Sequence, residues 1–449
     1  MTKSTTPPPT LGKHLPDLTK LQMFLMTFGY FGTQIAFSMQ TGSMGRIFQT
    51  IGADPNKLGF FFILPPLAGV VTQPLVGYFS DKTWIPRLGR RMPYLIGGSV
   101  VSLIVMLLLP NTGSFGFGFG SAAALWFGAI TVLFMDLACN VSQQPFKMII
   151  PDMANPKQTN ILWSMQNVWG SLGSLTAFIF PFILTACGVA NTAPKGEIPL
   201  SVRLSFYIAA GILSLSAAFT VWKVKEYSPA EMREYHGLAA GDQNRHESLL
   251  QILKSAPPVF WRLGLLAFFV WCAIPYMWTY STGALAENIW QTTDPHSAGF
   301  QAAGNWFGLV QGVYSAVAIL VGLLFTKLTK KYRRLTYMLS LMAGSLGLFL
   351  VAIGTTKLVS LLAFALYGIA WLAIITIPFT ILTNALDGRH DGILLGLYNV
   401  FICVPQIVAS SVSFLILPAL GGSMAKMFYL ASAGFLIGAV LIWLVPDDN

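Results

Sequence analysis

The chain has 449 residues, of which 54% are hydrophobic and 10% charged, whereas an ordinary soluble domain carries about 25% charged residues. A water-soluble core of this size would need far more polar surface, so a soluble or peripheral protein is excluded and lipid is the main solvent. The net charge of +10 does not point to nucleic acid, because the 27 basic residues sit in short clusters between apolar segments rather than on one domain.

The first 20 residues are polar and rich in proline. The apolar segment after them runs on too long, without an A-x-A site, to be a cleaved signal peptide, and is expected to remain as the first span. Runs of about 20 apolar residues, each able to cross a hydrocarbon core roughly 30 Å thick as a helix, recur along the rest of the chain. With Gly, Pro and charge clusters as boundaries they predict helices near 21–45, 58–80, 93–111, 122–147, 160–187 and 204–223. The stretch NTGSFGFGFGS at 111–121 alternates glycines, but no Gly-Lys-Ser/Thr follows it and no strand precedes it, so it reads as a turn rather than a phosphate loop. The hydrophilic stretch 224–258 reads as a linker, and further spans are predicted near 259–285, 305–327, 335–354, 359–385, 393–418 and 425–445. The chain thus divides as 1–223, a loop at 224–258, and 259–449, with six spans on each side.

With the N-terminus placed in the cytoplasm, six of the 27 Lys and Arg fall outside: Arg46, Lys57, Lys195, Arg203, Lys357 and Lys426. The other 21 fall on inside segments and helix ends, including Arg87, Arg90, Arg91, Lys330, Lys331, Arg333 and Arg334. This bias supports an even number of spans and two cytoplasmic termini. Cys139, Cys187, Cys272 and Cys403 lie inside apolar segments with no metal-ligand spacing, so free buried thiols are expected, with no metal and no cofactor.

An ionisable side chain at mid-membrane costs about 2.5–3.5 kcal/mol on insertion scales and marks a functional position by default. Asp136 is the acid near the centre of a predicted span. Asn140 and Gln143 follow at i+4 and i+7, and Lys147 continues the same face as a polar stripe. A purely structural acid is the plain alternative, but a neutral Asn would serve packing at lower cost. Uncharged polar and aromatic residues fill other spans: Tyr30, Gln34 and Gln40; Gln166 and Asn167; Tyr276 and Trp278; Asn305 and Gln311; Trp371; and Asn399. Amides match hydroxyls and apolar rings stack on sugar C–H faces, so the set suits a neutral polyhydroxylated ligand. Each of these could equally serve helix–helix hydrogen bonding or packing.

Between the second and third spans, Gly77-Tyr-Phe-Ser-Asp81-Lys82 followed by Arg87-Leu-Gly89-Arg90-Arg91 resembles the signature loop of the major facilitator superfamily. The resemblance implies a charge cluster that latches one conformation. The equivalent region in the second half, Gly322 to Arg334, has bases but no Asp. QPLVGYFSD (73–81), GRR (89–91), Asp136 with Asn140, Gln143, Pro145 and Asp152, ITIPFTI (375–381), LGLYNVFICVPQ (395–406), Gln34 and Gln40 are similar to the plant sucrose/proton symporters and their bacterial and animal sugar-transporting relatives. In that family the acid of the fourth helix is implicated in proton coupling and sugar binding, which carries over to Asp136. Lys147 stands where the plant pattern has Arg, keeping the charge but not the bidentate fork.

The resemblance implies an all-α membrane protein of twelve transmembrane helices in two pseudo-symmetric six-helix bundles, with a midplane site and alternating access by rocking of the halves. The expected function is proton-coupled symport of an α-glucosyl disaccharide, maltose or sucrose. The rival is an uncoupled or sodium-coupled carrier of another neutral solute on the same fold. An enzyme is not expected, since His14, His236, His246, His296 and His390 all lie outside the spans, and there is no extra domain to serve a sensor. Short loops and the lack of long tails favour a bacterial inner membrane.

Overall fold

The structure, a computed structural model, describes residues 15–236, 253–254, 256–325, 330–385 and 391–446. Helix α1 comes in two pieces, Lys20–Phe28 and Tyr30–Thr50, either side of Gly29. It is followed by α2 (Leu64–Lys82), α3 (Met92–Leu108), α4 (Ala122–Met153), α5 (Pro156–Ala186) and α6 (Leu200–Lys223). The second set is α7 (Pro258–Ile289), α8 (Ala298–Phe325), α9 (Arg333–Ile353), α10 (Lys357–Ala385), α11 (Asp391–Ala419) and α12 (Met427–Leu441). All twelve expected spans are present. Eleven helices are long and apolar enough to cross a membrane among the described residues.

The exception is α1, which breaks at Gly29 and carries Gln34, Gln40, Arg46 and Gln49. Such a helix is tolerated in lipid because its polar side chains face protein: Gln40, Arg46 and Gln49 are all buried. Large apolar residues take the opposite role, and Leu415, Leu358 and Leu215 stand 74–76% exposed, as lipid-facing side chains do.

Capping explains where the helix starts depart from the sequence pattern. Asn155 accepts from the Gln158 N–H at 3.0 Å with Pro156 in the first turn, so α5 starts ahead of the expected position 160. The Ser297 hydroxyl accepts from the Phe300 N–H at 3.1 Å, and α8 starts at Ala298 instead of 305. That early start puts Gln301 and Asn305 on a helix. Pro145 and Pro151 do not end α4, which runs on to Met153; prolines are carried inside membrane helices where neighbours meet the freed backbone groups.

Packing repeats between the halves when each helix is advanced by six. α1 packs on α5 and α6 as α7 packs on α11 and α12; α3 packs on α4 and α6 as α9 packs on α10 and α12; α2 packs on α4 as α8 packs on α10. The seams between the halves obey the same operation, α5 against α8 and α2 against α11, with α1 facing α7. At one of them Gly308 leaves no room for a side chain, since a Cβ there would stand 2.2 Å from the Phe178 carbonyl oxygen.

The expected linker begins with a short helix, Pro229–His236, opened by a capping box in which Glu231 accepts from the Ser228 N–H at 2.7 Å. Its residues 237–252 and 255 lie outside the described residues. The Phe-Gly stretch before α4 forms a turn, from which Phe119 reaches His296 of the other half at 4.8 Å between ring centroids. The cysteines are free, but Cys187 at the end of α5 is exposed rather than buried. There the helix has already ended, so the apolar run outlasts the span.

Candidate functional site

Between the two sets of helices lies a cavity of about 830 Å³, within the range of about 300–1,000 Å³ of small-molecule sites. Its lining runs from Asp136 and Met44 to Lys147, Phe325 and Arg333, toward the end of the bundle that carries the basic clusters.

The first half supplies a polar wall. Asp136, Asn140, Gln143 and Lys147 of α4 all line the cavity, as their spacing predicts. Gln40 Nε2 donates to Asp136 Oδ2 at 2.7 Å, Asn140 Nδ2 to the Asp136 carbonyl at 2.9 Å, and Gln73 Nε2 to Asn140 Oδ1 at 3.1 Å. Gln34 donates to Ser174 at 3.2 Å, joining α1 to α5 beside Asn167 and Tyr30, which also line the cavity. Two amide atoms on this wall, Gln40 Oε1 and Gln143 Nε2, are buried with no protein partner. One can accept and the other donate, as a hydroxylated ligand requires.

The second half supplies an aromatic wall. Trp371 of α10 sits 6.2 Å from Trp271, 6.3 Å from Trp278 and 6.2 Å from Tyr314 between ring centroids, and all four line the cavity. Asn399 and Gln406 of α11 add amides.

Away from the basic end the halves close on each other. Arg46 of α1, 4% exposed, donates to Gln301 Oε1 at 2.8 Å and Asn305 Oδ1 at 2.6 Å on α8, and to Asn191 Oδ1 at 2.7 Å. Gln301 in turn donates to Thr50 at 3.1 Å and Asn305 to Thr185 at 2.7 Å. A buried guanidinium is thus held by three neutral amide oxygens, two of them across the seam and the third, that of Asn191, in its own half. Arg46 is therefore an interior group, not one of the outside loop bases counted from sequence.

The family model described as Major Facilitator Superfamily matches residues 26–410. The chain belongs to that superfamily. Among curated proteins it is similar to the sucrose transport protein SUT5 of Oryza sativa subsp. indica, 23% identical over 92% of this chain and 85% of that one. It is similar also to the sucrose transport protein SUC3 of Arabidopsis thaliana, 21% identical over 92% and 86%. Among solved structures it shares the fold of a D-xylose-proton symporter, with TM-score 0.68, 14% identity and coverage of 96% and 99%. It also shares that of the nucleoside transporter NupG, with TM-score 0.61, 14% identity and coverage of 94% and 98%. This major facilitator protein is a membrane transporter and not an enzyme.

The superfamily's signature loop joins three helices of the first half. Arg91 donates from Nη1 to the Ser80 hydroxyl and from Nε to Asp152 Oδ2 at 2.9 Å, while Arg90 Nη2 lies 2.8 Å from the same carboxylate oxygen. Glu226, just past α6, accepts from the backbone N–H groups of Arg90, Arg91 and Met92 at 2.9–3.1 Å, where the start of α3 leaves donors unpaired. Burial pushes the Glu226 carboxyl up, against those three bonds and the Arg91 charge, which pull it down. Gly89, at φ +88, passes so close that a Cβ would stand 2.7 Å from the Glu226 carboxylate. Arg87 is exposed, Gly77 lies within α2, and the Asp81 side chain lies outside the described residues.

Four expected ligand contacts lie outside the cavity lining of this major facilitator fold. Asn305 is in the Arg46 cluster, Tyr276 packs at 6.3 Å on Tyr280, and Gln166 and Gln311 are buried elsewhere. Each sits on a face that packing, not the cavity, occupies. Gln73, Gln406, Arg46 and Glu226 were not singled out from sequence as site or latch residues; the signals available were amides inside apolar runs, a base just past the expected end of the first span and an acid just after the sixth.

Proposed function

We propose that this transporter carries an α-glucosyl disaccharide, sucrose or maltose, together with a proton. The observation that carries the reading is Asp136, 1% exposed in the wall of a cavity that Trp271, Trp278 and Trp371 also line, and held by Gln40 at 2.7 Å. A sugar presents hydroxyls to the amide wall and C–H faces to the rings, and the carboxyl exchanges the coupling proton. The substrate named for its curated relatives, sucrose, supports a sugar. The sugar-contact set in this reading is Gln34, Gln40, Gln73, Asn140, Gln143, Asn167, Trp278, Trp371 and Asn399. The cavity faces the basic end, taken as cytoplasmic in a bacterial inner membrane, with the Arg46 contacts closing the outside. Residues 1–223 and 259–449 form the rocking halves. One charge per sugar is worth about 2.3 kcal/mol per 100 mV, roughly 50-fold accumulation.

The test is uptake of a panel of labelled sugars into proteoliposomes with and without a proton gradient, and with sodium as the control. Asp136→Asn keeps the shape but cannot exchange a proton, so uphill uptake should be abolished while sugar-for-sugar exchange survives better. Uphill uptake by that variant at the wild-type rate would remove Asp136 from coupling, and uptake driven by sodium alone would replace the proton.

A further inference from the structure

We propose that Gln40 relays the protonation state of Asp136 to the sugar by turning its amide over. The inference rests on the reading of Asp136 as the proton carrier and adds what the sugar site gains from it. Gln40 is fully buried, lines the cavity, and gives its NH2 to Asp136 Oδ2 at 2.7 Å, while its carbonyl Oε1 has no partner in the protein. An ionised carboxylate only accepts, so it fixes the amide this way round and leaves an acceptor free. A protonated carboxyl carries one O–H donor. When a proton adds to Asp136, that O–H donates to Gln40 Oε1, and a half-turn of the terminal amide puts the NH2 where the carbonyl was. No covalent bond changes except the O–H formed on Asp136.

The two forms therefore show the ligand opposite hydrogen-bond polarity at one point. The proton-free form offers an acceptor and the protonated form a donor. A sugar hydroxyl satisfies both, so the sugar remains bound through the proton's arrival and departure; an ether or fluorine at that position, which cannot donate, satisfies only the protonated form. The ionisable groups around Asp136 are Cys139 on its own helix, Tyr30 on α1, Lys147 about 16 Å along α4, Tyr314 on α8, Arg333 on α9 and Cys403 on α11. Gln40 is the group bonded to the carboxyl, and the relay runs through it.

Infrared spectroscopy of the full-length protein in liposomes, without sugar, reads the first half of this directly. The stretching band of the protonated Asp136 carboxyl, identified by its loss in Asp136→Asn, should move to higher frequency in Gln40→Met, which has no acceptor for the O–H. The helical amide band of the same spectrum reports that the variant is folded. Sucrose and its monodeoxyfluoro analogues read the second half by counterflow on the acid and alkaline sides of that titration. One fluorinated position should lose about tenfold more affinity than sucrose on the alkaline side, the worth of one hydrogen bond, and Gln40→Met should erase the difference. A carboxyl band unmoved by Gln40→Met, or fluoro analogues that all track sucrose, overturns the relay and leaves Asp136 as the proton carrier. Absence of an Asp136 carboxyl band at any pH overturns the proton-carrier reading itself, and the relay with it.

Discussion

At the scale of the residue, the cavity wall separates polar groups paired within the protein from polar groups with no partner in it. Asn140 both donates to the Asp136 carbonyl and accepts from Gln73, whereas the Gln143 NH2 has no protein partner. Gln143→Leu should therefore weaken sugar affinity by about fivefold to tenfold, one neutral hydrogen bond, and leave thermal stability unchanged. Asn140→Leu strands the Gln73 amide and should lower the melting temperature as well. Equilibrium binding and thermal unfolding in detergent check both, and a destabilised Gln143→Leu would show that the NH2 has a structural partner. The α4 stripe was legible because positions i, i+4 and i+7 share a face whatever surrounds the helix. Gln73 was not: it meets Asn140 only through the crossing of α2 and α4, 67 residues apart in sequence.

At the scale of the element, the start of α3 is held from outside its own sequence. Glu226 takes three backbone N–H groups that a local Ser or Asp would ordinarily cap, and Gly89 gives it access. A side chain at Gly89 meets both the left-handed backbone, about 1–2 kcal/mol, and the carboxylate 2.7 Å away. Gly89→Ala should slow the maximal transport rate about tenfold or more while leaving sugar affinity nearly unchanged, because the loop lies beyond the cavity wall. Separate measurement of KM and maximal rate checks it; an affinity loss at an unchanged rate would place the loop's influence on the sugar site. The motif itself could be read from sequence, but its anchor could not, since Glu226 lies 135 residues beyond Arg91.

At the scale of the molecule, Arg46 joins the halves through bonds to Gln301 and Asn305, residues 255 and 259 positions away. Hydrogen bonds to a charged group contribute about 1.5–3 kcal/mol each. Arg46→Gln should therefore shift the equilibrium toward the state open at the far end. Ser43, 8% exposed beside Arg46, is a reporter: a Ser43→Cys protein should react at least about tenfold faster with an impermeant maleimide from outside when Arg46→Gln is added. An unchanged labelling rate would mean the cluster does not hold the closure. Topology is tested in the same assay. Cysteines placed within 224–236 should label from the cytoplasmic side and those within 188–199 from outside, and labelling of both from one side would contradict the orientation given by the basic residues.

The sequence by itself determined the solvent, the twelve helices and their six-plus-six division, because apolar length and charge clustering are local properties that lipid reads directly. It determined the polar face of α4 for the same reason. Only the tertiary structure decided which polar residues reach the cavity. Asn399 and Trp371 line it, while Asn305, Gln311, Gln166 and Tyr276, equally plausible by composition, do not. It also decided that Arg46 is an interior clasp and that Glu226 caps a distant helix. A side chain's face on its helix is set within a few residues, but what that face meets is set by how two halves of the chain pack, and that information is spread over the whole sequence.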